Sequence, residues 1–399
     1  MQKPELLAPA GSKEKLITAF HFGADACYLG GKDFSLRSFA DNFDREGLLE
    51  AVNYAHSLGK KIYVTVNIFP SNRDFPALKD YVKYLGEIKA DGMLVTDPGV
   101  IELAKTVSPE LPIHISTQAN VTNAYTAAFW HKMGAERVVL ARELSLTEVK
   151  EIKDHCSDLQ IECFVHGAMC ISYSGRCLLS SYLTDRDSNR GECVQACRWQ
   201  YKMREVSREN SLELQEDSRG AYVLNSYDMN MLSHLDDLIK AGVDSFKIEG
   251  RMKTVYYVAN VINAYRRALD GGDIVELDKE LYKCKNRGYF TGFYYGKENA
   301  GVAYSKEQSG DGYSFVAVVL EKKEDGGYLI EMRNRFKIGD ELEILSSGGD
   351  FNKTFKVKKI VTESGEEIED AKFVQQKLII YGEEERELLS LDVLRRKDD

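Results

Sequence analysis

Short apolar runs recur along the first three-quarters of the chain, separated by stretches whose apolar residues return every three or four positions. The runs ELLAPA, ACYLGG, KIYVTVN, GMLVTD, PIHISTQ, RVVLAR, IECFVHG and SFKIEGR read as β-strands. REGLLEAVNYAHSLGK and SLTEVKEIKDHC carry helical spacing between them. Gly23, Gly59, Gly134 and Gly242 stand where helical stretches give way to the next strand, the usual place of a C-terminal glycine. Eight strands with intervening helices over about 270 residues predict a (β/α)8 TIM-like barrel in both count and length. The competing doubly wound sheet calls for a glycine-rich phosphate loop after the first strand, and LAPAGSKEK lacks one.

The pattern changes near Gly301. YSFVAVVLEKK, GGYLIEMRN, GDELEILSS, TFKVKKIV and KLIIYG are short strand-like runs parted by Gly, Asp and Ser turns. They predict a small C-terminal β-barrel over residues 301–399, after a main barrel over residues 1–300. One connection is too long for a βα loop: residues 170–227, after the seventh strand. In a barrel that insertion lies over the C-terminal face, where active sites are built.

Composition narrows the class without choosing a chemistry. A chain of 399 residues that is 43% hydrophobic with seven prolines is globular rather than disordered. A formal charge of −10 argues against a general polyanion binder but leaves room for a local basic surface. Arg186, Arg190, Arg198, Lys202, Arg204 and Arg208 gather in the insertion, diluted by Asp185, Asp187, Glu192 and Glu205. The opening MQKPELLAPAG has no signal-peptide core and no run approaches a membrane-spanning length, so the expected compartment is the reducing cytoplasm.

Four cysteines open the chemistry: Cys170, Cys177, Cys193 and Cys197 follow the seventh strand in ECFVHGAMCISYSGRCLLS and NRGECVQACRW. Thiolates suit zinc or an iron–sulfur cluster, and four can close the shell of either. The spacing, C-x6-C and then C-x3-C, departs from the short pairs of zinc knuckles and favours a cluster, with zinc as the alternative. Cys27, Cys156, Cys163 and Cys284 read as small core hydrophobes.

Polar residues at the strand ends supply the other candidates: Asn67, Asp97, Gln118, Arg142, Glu143, His166, Lys247, Glu249 and Arg251. For each, the plainer role is an ion-paired or hydrogen-bonded rim residue. Arg142, Lys247 and Arg251 can together hold a dicarboxylate. Glu162 and His166 share a strand face at period two, and His166 is the first candidate for proton transfer because its ordinary pKa lies nearest neutrality. Arg37, in FSLRSFADNF, is a weaker candidate for the same mouth. There is no HExxH and no GxSxG, so proteolysis would rest on a thiol–imidazole pair of Cys170 and His166.

The run from Glu162 to Ser180 resembles the signature of the collagenase-like U32 peptidase family. Glu162, Phe164, Gly167, Ala168, Met169, Cys170, Gly175, Cys177 and Ser180 match it, and PELLAPAG, FSLRSFADNF and SFKIEGRMK look like further blocks. The resemblance implies iron–sulfur chemistry, because several members of the family hydroxylate RNA or a quinone precursor with such clusters. It is nearest to the members that make 5-hydroxyuridine at the tRNA wobble position with prephenate as cosubstrate. By that resemblance Cys170, Cys177, Cys193 and Cys197 hold a [4Fe–4S] cluster and tRNA is the partner. Proteolysis, ribosomal RNA hydroxylation and a non-enzymatic RNA-binding scaffold stand as alternatives.

Overall fold

Eight parallel strands close on themselves: β1 (Glu5–Pro9), β2 (Ala26–Gly30), β3 (Lys61–Val66), β4 (Gly92–Val95), β5 (Ile113–Ile115), β6 (Arg137–Val139), β7 (Gln160–Ala168) and β8 (Ser245–Ile248). Each pairs with the next, from Leu7↔Ala26 round to Ser245↔Glu162, and Glu5↔Ser245 closes the ring. In this computed structural model the described residues are 3–36, 41–199, 216–217, 220–221, 226–296 and 312–398. Arg37, Lys202, Arg204 and Arg208 fall outside them. The eight runs expected from the sequence are the eight barrel strands, and the (β/α)8 barrel with a C-terminal β-barrel is the observed fold.

The strands are legible because both sheet faces are covered, so nearly every residue of β2, β4 and β7 is buried. The helices follow their apolar stripes. Arg45–Ser57 starts on Asp44, whose carboxylate accepts from Gly47 N, and buries Leu48, Ala51, Val52 and Ala55. Helix Ala124–Lys132 ends at Gly134, which takes the left-handed φ of 91° that a side chain would resist.

Contacts divide the chain into two compact units, one of residues 1–16, 24–253 and 286–309, the other of residues 17–23, 254–285 and 310–399. The first holds all eight barrel strands. It also adds a short strand, Asp228–Asn230, antiparallel to the end of β7, and Tyr289–Phe290 beside that. The second contains β9 (Tyr313–Lys322), β10 (Tyr328–Met332), β11 (Glu341–Leu345), β12 (Thr354–Thr362), β13 (Lys377–Gly382) and β14 (Val393–Lys397). These run in the order β11-β14-β9-β10-β13-β12, all antiparallel, and β12 closes on β11. Val316, Ile330, Ile344, Phe355, Ile360 and Ile380 belong to its apolar core.

Within this second unit Arg395 is fully buried. It donates to Glu343 (2.7 Å), Asn260 (2.6 Å), Asn352 (2.8 Å) and Glu280 (2.5 Å). A buried guanidinium is tolerated because carboxylates and amides meet its donors. Among the described residues no helix is long and apolar enough to cross a membrane.

Candidate active site at the barrel mouth

The lower interior of the barrel is filled by charges that neutralise one another. Arg137 donates to Glu5 (2.6 Å) and to Glu162 (3.1 Å), and Lys247 Nζ donates to the other oxygen of Glu162 (2.6 Å). Tyr63 and Ser245 hydroxyls donate to Glu5 at 2.6 and 3.0 Å, while Gln160 accepts from Arg137. Burial works against the charge on Arg137, but Glu162 and Glu5 outweigh it and push its pKa up. Burial pulls the Lys247 amine below its ordinary pKa, against the opposing pull of Glu162. Aromatic faces complete the shell, with Lys247 Nζ 4.3 Å from the Tyr28 ring centroid and Arg137 5.0 Å from that of Tyr63. Glu162 therefore sits in a closed ion ladder below the mouth, each oxygen held by a cation.

His166 and Glu162 do not share a face. Strands β7 and β8 pair Lys247 with Phe164 and then Ile248 with His166, passing over Val165. That extra residue is a β-bulge, which resets the alternation of side chains. His166 thus lies on the side of Ile248, across from that of Lys247 and Phe164. Its ring packs against Tyr289, with centroids 5.3 Å apart. Burial lowers its pKa to about 3, with Asp228 opposing and Lys253 assisting. The imidazole is neutral at physiological pH, and its proton affinity is far from the near-neutral value expected of a general base.

Of the three cations proposed for a dicarboxylate, only Arg142 stands beside the thiols. Its guanidinium lies 3.8 Å from the Phe164 ring centroid, 3.5 Å from Glu249 Oε2 and 3.9 Å from Cys170 Sγ. Lys247 is committed to Glu162. Arg251 is buried and donates to Ser35 Oγ (2.9 Å), Leu36 O (2.9 Å), Thr65 Oγ1 (3.2 Å) and Asn42 Oδ1 (2.5 Å). Gly30 makes room for it, since a Cβ there would come within 2.4 Å of Arg251 Nη2. Other rim residues are structural. Asp97 caps helix Pro98–Val107, Asn67 bridges Leu36 N and Ser116 Oγ, and Glu143 accepts from Ser174 N.

The cysteine segment is shaped by its non-cysteine residues. Gly175 has φ 73° and its α-carbon passes so close to Gln118 that a Cβ would meet that carbonyl oxygen at 2.1 Å. Ser180 Oγ accepts from Val194 N (3.0 Å), tying the two thiol-bearing stretches together. Ser188 Oγ and Asn189 Nδ2 donate to Cys177 O at 2.8 and 3.4 Å. Arg190 clamps the segment to the loop after β3, donating to Phe69 O (2.8 Å) and to both oxygens of Asp74 (3.0 and 3.2 Å). It is a structural residue, not a free basic one.

Cys170, Cys177 and Cys193 all lie within electrostatic reach of Cys197. Burial raises the pKa of Cys197, Arg198 opposes it, and Cys170, Cys193 and Cys177 add to the rise. N–H donors point at two of the sulfurs, Gln195 N at Cys193 (3.4 Å) and Arg142 at Cys170. A soft four-sulfur donor set with N–H···S contacts suits a thiolate-bound metal or cluster. As they stand, no three Cys, His, Asp or Glu side chains among the described residues are arranged to hold an ion.

Comparison with known proteins places this geometry. The family model described as Peptidase family U32 matches residues 11–303, and that of the U32 C-terminal domain matches residues 311–395. This chain belongs to peptidase family U32. The U32 chain is 41% identical to tRNA hydroxylation protein P1 of Bacillus subtilis (strain 168), covering 93% of this chain and 90% of the relative. It is 37% identical to tRNA hydroxylation protein P of Escherichia coli (strain K12), covering 89% of each. It is 38% identical to the 23S rRNA 5-hydroxycytidine C2501 synthase of the same strain, over 71% of this chain and 41% of that one.

Sequence reasoning missed a buried ion pair within electrostatic reach of Arg198 in the cysteine segment. Asp228 is buried and accepts from Arg287 Nε (3.1 Å). Burial works against its charge, but Arg287 and Lys253 hold its carboxyl below the ordinary value. Arg198 is pulled below its usual pKa by burial and by Arg287. The only signal for Asp228 was the short strand Asp228–Asn230, too brief to stand out as a periodic run, whereas Arg198 was already in view among the arginines of the insertion.

Proposed function

We propose that this U32 protein hydroxylates tRNA, converting the wobble uridine to 5-hydroxyuridine with prephenate as cosubstrate and a [4Fe–4S] cluster on Cys170, Cys177, Cys193 and Cys197. The carrying observation is the near full-length match, at 41% identity, to a relative named for tRNA hydroxylation. The four-thiol segment over the barrel mouth supports the same reading. Replacing C5–H by C5–OH is a two-electron oxidation, and amino-acid side chains are poor redox agents, so the oxygen atom and the acceptor of the two electrons both come from outside the protein's side chains. When bound, a cluster supplies electron transfer.

The chain's own residues bind and orient. Arg142, steadied by the Phe164 ring and only loosely paired with Glu249 at 3.5 Å, offers its guanidinium fork to a carboxylate of the cosubstrate. Lys247 and Glu162 keep the floor beneath it rigid and closed to water. Arg251 fixes the loop through Ser35 and Leu36 and the strand through Thr65. Cysteine proteolysis is disfavoured, because a histidine with a pKa near 3 does not deprotonate a thiol at neutral pH. The test is nucleoside mass analysis of tRNA from cells with and without this chain. Disappearance of 5-hydroxyuridine and its derivatives is expected, and an unchanged profile contradicts the reading.

A further inference from the structure

The cysteine segment exposes more large apolar side chains than it buries. Tyr182 is 88% exposed, Tyr173 55% and Trp199 43%, with Leu178, Leu183 and Ile171 also open to water. Exposed large apolar side chains that gather in one segment, rather than scatter singly, mark a surface that a partner covers. Tyr182 rides on the short helix Leu179–Thr184, which packs against the turn Ala196–Arg198 that leads into Trp199. Tyr173 lies in the turn closed by Arg176 N donating to its carbonyl (3.0 Å).

We infer that Tyr173, Tyr182 and Trp199 form a stacking surface for the unpaired bases of an RNA loop. The inference rests on the RNA reading above and names the residues that would recognise its substrate. Three observations favour bases over a protein partner. The exposed group is led by flat aromatic rings, whose faces accept any base. It lies in the same segment as the four thiols, where a loop uridine must be presented. The segment holds four arginines, Arg176, Arg186, Arg190 and Arg198, against Asp185, Asp187 and Glu192, in a chain whose net charge is −10. With Arg190 spent on Asp74, phosphate contact there is sparse, so stacking has to carry much of the affinity. The clamp and the Ser180–Val194 bond hold the rings' backbone in place before RNA arrives, which lowers the ordering cost.

The chain supplies its own probe. Of its two tryptophans, Trp130 is buried and Trp199 is half exposed. The metal-loaded full chain is titrated with a synthetic RNA hairpin carrying a uridine-containing loop, and separately with a blunt RNA duplex of the same length. The hairpin is expected to quench Trp199 emission, and Trp130→Phe should keep that quenching. Trp199→Ala and Tyr182→Ala should each weaken hairpin binding roughly tenfold, with Trp199→Phe restoring it and iron content unchanged. Wild-type hairpin affinity in the Trp199→Ala/Tyr182→Ala double variant overturns the stacking surface while leaving the RNA reading standing. An equal loss of duplex binding also overturns it, marking a surface that reads charge alone. If the wild-type protein binds neither RNA, the RNA reading falls and the surface with it.

Discussion

Lys247 Nζ lies 2.6 Å from Glu162 Oε1 inside the barrel, both side chains closed to solvent. Arg137 takes the second oxygen of Glu162 and reaches on to Glu5, so one chain of charges crosses β1, β6, β7 and β8. In the sequence Glu162 and Lys247 look like site residues. In the barrel they are its floor.

Removing Glu162 strips Lys247 of its carboxylate partner, and removing Lys247 leaves Glu162 with Arg137 alone, so each loss costs up to about 3–5 kcal/mol. Glu162→Gln and Lys247→Met are each expected to lower unfolding free energy by roughly that much, while the double variant loses less than the sum. A double-mutant cycle by urea denaturation checks this. Additive losses would mean that the two side chains do not act as a pair.

The buried imidazole of His166 sets an acid limit. Its folded pKa of about 3 lies below the ordinary 6.5, so the unfolded chain binds more protons between those values. The stability it contributes is complete above about pH 6.5 and drains as pH falls towards 3. His166→Phe should flatten urea midpoints across that window. An unchanged slope would place the titrating group elsewhere.

Arg142 and Arg251 should part company. Arg142→Ala is expected to weaken prephenate binding, read by calorimetry, with little change in melting. Arg251→Ala should instead destabilise the fold, because it strips donors from Ser35, Leu36, Thr65 and Asn42. If Arg142→Ala binds prephenate as tightly as wild type, the carboxylate contact is misassigned.

Arg190→Ala should loosen the cysteine segment by breaking three bonds to Phe69 and Asp74, at a cost of roughly 1–3 kcal/mol. Limited proteolysis should then cut within residues 170–199 faster than in wild type. The alternative, faster RNA release with the segment still protected, would return Arg190 to the RNA surface.

The strands were legible because burial on both sheet faces writes an apolar run into the sequence wherever a barrel strand passes. Helix ends were legible for a local reason too, as at Gly59 and Gly134. What escaped was set by distant partners. Nothing near Glu162 announces Arg137 or Lys247, and nothing near Arg190 announces Asp74. The period-two reading that put His166 beside Glu162 failed at a single extra residue, Val165. The signature glycine and serine, Gly175 and Ser180, were visible as a motif, but their work became clear only with Gln118 and Val194 against them.

The most direct measurement joins the thiols to the chemistry. Cells lacking this chain are complemented with wild type, Cys170→Ser, Cys177→Ser, Cys193→Ser, Cys197→Ser or Cys284→Ser. Anaerobically purified protein is then assayed for iron and sulfide, and cellular tRNA is assayed for 5-hydroxyuridine. Wild type and the buried-thiol control Cys284→Ser should carry about four iron and four sulfide per chain and restore the modification, while the other four lose both. Restoration of 5-hydroxyuridine by any of those four, or stoichiometric zinc without sulfide in the wild type, would contradict the account.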